Sequence, residues 1–167
     1  TDFTPTGKDD APKVMDPNDN GIFPLPNVVP TNAHPRVLFS KAEIPQIKEN
    51  VKTQALAASY KKVSVAADER LNCRLTEIAD KDNYNNSLLD KIQKRAFMHA
   101  IGERDKQHAR QTVLYLKDYI DTLRYNAPGG GDATYRERSH GENIFTIGLV
   151  YDWCYDVLSD ADKEYLI

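Results

Sequence analysis

The sequence predicts an all-α fold built from helical hairpins. Apolar residues recur at three- and four-residue steps through most of the chain, the spacing that gathers them on one side of a helix. No stretch alternates with period two for long enough to make a strand, and Val37–Phe39 is the only short candidate. At 167 residues the chain has the length of one domain with a tail. The expected division is an extended arm, residues 1–33, and a helical body, residues 34–167.

Residues 1–33 hold six of the nine prolines and no apolar periodicity. Proline fixes φ and lacks an N–H donor, so Pro24, Pro26 and Pro30 keep Ile22, Phe23, Leu25, Val28 and Val29 extended. Those apolar residues predict that part of the arm lies against the body. Residues 1–20 are expected to be mobile.

The body opens with His34-Pro35-Arg36-Val37-Leu38-Phe39. Ser40 and Glu43 then fit a capping box, with Phe39 and Ile44 at the two positions of a hydrophobic staple. Pro45 falls in the first turn, where a missing N–H costs little. The first helix is expected over 41–51. A second is expected over 55–71, with Leu56, Tyr60, Val63, Ala67 and Leu71 on one side. The polar run 80–86 reads as a turn.

Leu88, Leu89, Ile92, Ala96, Phe97 and Ala100 mark a third helix stopping at Gly102, a favoured C-terminal cap. Ala109, Val113, Leu116, Ile120 and Leu123 mark a fourth. The short link at 103–105 makes these two an antiparallel hairpin. Pro128-Gly129-Gly130-Gly131 cannot continue a helix, so residues 126–139 are expected to be irregular.

A fifth helix follows from Gly141. Ile144, Ile147, Tyr151 and Tyr155, with Gly148 and Cys154, are expected to form its broad buried face. Ser159-Asp160-Ala161-Asp162 reads as a cap opening a sixth helix. The pattern stops soon afterwards, and the chain reads as a piece of something larger. The third and fifth helices are the most apolar and suit inner positions. The second and fourth carry more charge and suit outer ones.

The net charge of −3 and the pI near 5.8 disfavour nucleic acid as a partner. No apolar run reaches the ~18 residues of a membrane span, and no membrane partner is expected. Cys73 and Cys154 form neither a CxxC pair nor a zinc spacing; they read as buried thiols, with one disulfide as the alternative. There is no HExxH, no P-loop and no nucleophile signature, so no metal or cofactor is expected.

Arg136, Arg138, His140 and Glu142 cluster beside the Gly-rich stretch at a helix start. Two guanidinium forks there could hold a carboxylate or sulfate, the plain alternative being a solvated loop of ion pairs. His34 reads as a hydrogen-bonded turn histidine, His99 as partly buried and His108 as solvated. Asp152 and Asp156, four apart, suit acid–base work, or more simply the anchoring of neighbouring loops.

Two segments carry a family resemblance. His34-Pro35-Arg36-Val37-Leu38-Phe39, followed by Ile44-Pro45-Gln46-Ile47-Lys48, resembles the entry motif of the heparinase II/III-like polysaccharide lyases. Tyr151-Asp152-Trp153-Cys154-Tyr155-Asp156 resembles their Tyr-Asp-Trp block, in a version closest to heparinase II. The resemblance implies the first part of an incomplete (α/α) toroid, truncated at its C-terminus. Whole members add β-sandwich domains and cleave uronic-acid polysaccharides by β-elimination. Their catalytic residues lie beyond this block, so no catalytic residue is assigned and this chain alone is expected to be inactive.

One substrate-binding residue follows from the resemblance. Arg138, thirteen residues before Tyr151, matches an Arg on the loop entering that helix, with Arg136 as the fallback. The implied partners are an acidic polysaccharide and the remainder of the parent chain. The implied location is the periplasm or the cell exterior. An apolar patch from Ile144 to Leu166 is expected to be only partly covered and to favour self-association. The readings kept beside this one are a non-catalytic acidic-glycan-binding module and part of an (α/α)-barrel glycoside hydrolase.

Overall fold

The computed structural model describes residues 33–73, 85–123 and 133–167, with the backbone alone for 133–138. These residues belong to one compact unit, Asn32–Ile167. The expected arm, most of the polar turn and the triple-glycine stretch lie outside the described residues. All regular structure among the described residues is helical, so the fold is all-α. None of these helices is long and apolar enough to cross a membrane.

The first helix matches its predicted span but begins as a 3-10 turn, Lys41–Glu43, before α1, Ile44–Asn50. Glu43 accepts from both the amide and the hydroxyl of Ser40, each at 2.8 Å. Helix α2, Ala57–Asp68, is shorter than expected. Leu56 lies outside it and is exposed, while Leu71 is buried beyond its end. Tyr60 and Val63 pack with Phe39, Ile44 and Ile47 on a small cluster of Ala67, Met98 and Ile101.

Helix α3, Asn86–Ala100, is the centre of the body and packs against α2, α4 and α5. Asn85 caps it by accepting from the Leu88 amide at 3.1 Å. At its other end Gly102 takes a φ of 76°, where a Cβ would be strained. That turn lets the Glu103 amide reach the Met98 carbonyl and the Gly102 amide reach that of His99. Asp105 opens α4, Lys106–Asp121, by accepting from the His108 amide. The α3–α4 hairpin is therefore capped on both sides of its turn, as its short link predicts.

Helix α5 spans Ala133–Trp153 and departs from expectation twice. It starts before Gly141, so the segment around Arg136 and Arg138 is helical and not a loop. Ala, Arg and Glu are good helix formers, but the segment follows the Pro128–Gly131 helix breaker and lacks apolar periodicity, so it reads as irregular. Its buried face is also partly turned from the predicted one. Ser139, Asn143, Thr146, Leu149, Val150 and Trp153 are buried. Of the expected face Ile147, Tyr151 and Tyr155 pack half-buried on the core and Cys154 is buried, whereas Ile144 is 69% exposed, and Phe145 beside it 49%.

Hydrogen bonds explain how polar groups came to lie inside. Gln93 donates to the Thr146 hydroxyl at 2.8 Å, and that hydroxyl donates to the Glu142 carbonyl. Tyr119, fully buried, accepts from the Asn85 amide and donates toward Asn143 at 3.4 Å. A buried polar group with partners avoids the desolvation penalty that would otherwise expel it. Arg95 is the same device in α3. It donates to the Ala67 and Glu69 carbonyls, capping the end of α2, and lies 5.0 Å over the Tyr115 ring. Burial works against its charge.

Helix α6, Asp160–Leu166, opens as predicted, with the Ser159 and Asp162 side chains bonded to each other's backbone amides. Asp162 also accepts from Lys117 at 2.7 Å, and Tyr165 donates to Asp121, tying α6 to α4. Cys73 and Cys154 are free and buried. Burial raises both thiols, that of Cys73 to about 11.

Candidate functional site

The last turn of α5 brings the two ends of the body together. Asp152 is only 3% exposed, and a bare carboxylate there would be costly. It is matched by three donors from one segment. The amides of Arg36 and Val37 each donate to Oδ2 at 2.9 Å, and His34 Nδ1 donates to Oδ1 at 2.6 Å. The Arg36 guanidinium adds an ion pair at 3.9 Å. Charge-assisted bonds of this kind are roughly twice as strong as neutral ones.

Trp153, the next residue, holds the same segment on a different side of the helix. Its indole N–H donates to the Val37 carbonyl at 3.1 Å, and its ring packs against Phe39 and Phe97. Leu38, between those anchors, is 71% exposed and takes a φ of 67°, a region that costs a non-glycine residue about 1–2 kcal/mol. The reversal it makes lets the Val37 backbone and the Phe39 ring both face the helix. The His34–Pro35 peptide is cis, and the His34 ring stacks on Tyr155 at 3.8 Å with 12° between planes.

The carboxylate of Asp152 fixes the proton on His34 Nδ1 and leaves Nε2 as the ring's other hydrogen-bonding atom. Among the described residues Nε2 has no partner. A second histidine–carboxylate pair stands nearby. His99 Nδ1 donates to the Arg104 carbonyl at 3.1 Å, while Nε2 meets Asp156 Oδ1 at 2.8 Å. Lys106 reaches the other Asp156 oxygen at 3.3 Å. Burial opposes ionisation of Asp156, but His99 and Lys106 outweigh it and hold the carboxyl below its ordinary range. Between these pairs lies a cavity of about 210 Å3, lined by His34, Lys41, Ile44, His99, Trp153 and Tyr155 among others.

The predicted residues are thus separated. Asp152 and Asp156 do not share a helix, because α5 ends at Trp153 and Asp156 falls in a 3-10 turn, Tyr155–Val157. Both anchor other segments, the plainer of their two readings. Arg138 belongs to the second turn of α5, fourteen residues before Asp152, which at 1.5 Å per residue is about 21 Å along the axis. Its side chain lies outside the described part, as does that of Arg136. His140 and Glu142 are half-buried one turn further on.

His34 was legible as a bonded turn histidine, but not its partner, 118 residues away. The shared family resemblance of the two segments was the only signal joining them. His108 corrects its solvated reading. Its Nδ1 faces Arg95 at 3.4 Å, and its Nε2 is buried with no partner among the described residues. Burial and then the Arg95 charge push its pKa down to about 4.

Comparison of the chain with models of known protein families finds no match, and comparison with characterised proteins finds none. Among the described residues, no group of three or more His, Cys, Asp or Glu side chains could hold a metal ion.

Proposed function

We propose that this chain is the N-terminal helical segment of a polysaccharide lyase that cleaves uronic-acid-containing polysaccharide by β-elimination. The observation that supports the reading is the junction at Asp152. The two segments that resemble heparinase II/III-like lyases lie more than a hundred residues apart, yet they form one bonded unit. The reading makes α5 an inner helix of an (α/α) toroid. Its Arg138 end faces an acidic glycan, and its outer stripe, Ile144 and Phe145, is covered by further helices of the parent chain or by a second copy. The location that goes with this chemistry is the periplasm or the cell exterior.

In this reading the segment itself binds but does not cleave. β-Elimination leaves an unsaturated uronate that absorbs in the ultraviolet. A panel of heparan sulfate, chondroitin, hyaluronan and alginate should give no absorbance rise with this chain, and a rise on at least one with a longer protein that carries it. Silence of the longer protein on all four overturns the lyase reading. Binding of an acidic oligosaccharide to this chain should weaken about tenfold in Arg138→Ala, the loss of one charge-assisted contact. Unchanged affinity in a calorimetric titration removes Arg138 from the site. A non-catalytic glycan-binding module is the second reading, favoured if binding holds and elimination fails.

A further inference from the structure

We propose that the cavity beside the Asp152 junction is a separate binding site for a single sugar acid. Three features of its wall point to that chemistry. The first is a cation. Asp152 is matched by His34 and two amides, and Asp156 by His99 and Lys106. Lys41 also lines the cavity and has no ion pair among the described residues, so it is the charge left for an incoming carboxylate.

The second feature is a ring nitrogen. With Nδ1 bonded to Asp152, His34 Nε2 has no partner among the described residues. A hydroxyl can either donate to or accept from a ring nitrogen. A cation and that nitrogen on one wall suit a molecule bearing both a carboxylate and a hydroxyl. The third feature is an apolar surface. Ile44, Trp153 and Tyr155 line the same space and suit the C–H face of a pyranose ring. The size completes the assignment. At about 210 Å3 the cavity lies below the roughly 300–1,000 Å3 of sites for larger ligands and has room for one ring.

This site stands at the other end of α5 from Arg138 and requires no elimination chemistry. The ultraviolet assay and the Arg138 variant report on the lyase reading, the titration below reports on this one, and either can fail alone.

The test is an NMR titration of the whole chain with glucuronate, glucose and acetate, following backbone amides and the His34 and His99 ring signals. Glucuronate should give saturable shifts at residues 34–44, 99–100 and 152–156. Glucose lacks the carboxylate and acetate the hydroxyls, and each should bind at least tenfold more weakly. Lys41→Ala, an exposed change, should weaken glucuronate about tenfold. His34→Asn keeps a side-chain N–H for Asp152 but lacks Nε2, and should bring glucuronate down to the affinity of acetate. The amide spectrum of each variant shows whether the junction still forms. No saturable shift with glucuronate, glucose or acetate binding equal to it, or full affinity in Lys41→Ala overturns the proposal.

Discussion

The two halves of α5 bury themselves by opposite means. The C-terminal part, from Leu149 to Trp153, places Leu149, Val150 and Trp153 in the main apolar core, with Cys154 just beyond its end. The N-terminal half buries Ser139, Asn143 and Thr146 instead and turns Ile144 and Phe145 outward. The first half is held by apolar area, at about 25 cal/mol per Å2. The second is held by satisfied hydrogen bonds, each worth only about 1 kcal/mol net but costly to leave unmade. Helical periodicity reports the first means of burial and misreads the second.

The largest test of this contrast is Asp152→Ala. It leaves His34 and two amides without their acceptor at a buried position, and should cost about 3 kcal/mol in urea unfolding. A loss below 1 kcal/mol would mean that the Trp153 and Phe39 packing holds the junction without it. Thr146→Val tests the polar half. It removes the acceptor of Gln93, and should cost about 1 kcal/mol despite adding an apolar group to a fully buried site. A stabilised variant would show that the polar burial of α5 is incidental.

His108 sharpens the contrast, because its buried Nε2 has no partner among the described residues where the polar groups of α5 are matched. Its folded pKa, about 4, lies below the unfolded value near 6.5. The neutral ring is thus favoured by the fold. Its contribution is full above the unfolded value and is lost as pH falls from about 6.5 toward 4. Discounted for partial exposure, the loss is about 1 kcal/mol, read as a drop in urea midpoint that His108→Gln should flatten. A wild-type midpoint that stays level over that range contradicts the burial of this ring.

The smallest effect, and of the other sign, is expected at Gly148. A Cβ there meets nothing within 4 Å, and its helical conformation suits any residue. Gly148→Ala should stabilise an isolated chain by about 0.5–1 kcal/mol. If a second copy or another helix packs closely on the Ile144 and Phe145 stripe, the added methyl should weaken that association. Sedimentation against concentration separates the two outcomes.

These elements show what the sequence makes legible. The α3–α4 hairpin and the α6 cap depend on residues within a few positions of one another. Gly102, the short link at 103–105 and Ser159 therefore announced them. The extent of α5 was hidden because Ala133–Ser139 has helix formers but no apolar stripe. Its orientation was hidden because partners on α3 and α4, Gln93 and Tyr119, decide which side is inside. The candidate site was legible only in parts. His34 and Asp152 each read correctly as bonded residues, but no local rule pairs positions so far apart. Lys41 carried no signal, since its role follows from its neighbours' charges being already matched.

The Asp152 junction also sets an order of events for the growing chain. His34 to Val37 leave the ribosome 115 to 118 residues before the carboxylate that will hold them. At about 5–20 residues per second, the segment waits roughly 6–24 s for its partner. Helices α1 to α4 can form and pair in that interval, but the entry segment cannot settle until the end of α5 has been made. The body therefore closes at its beginning and its end in the same step.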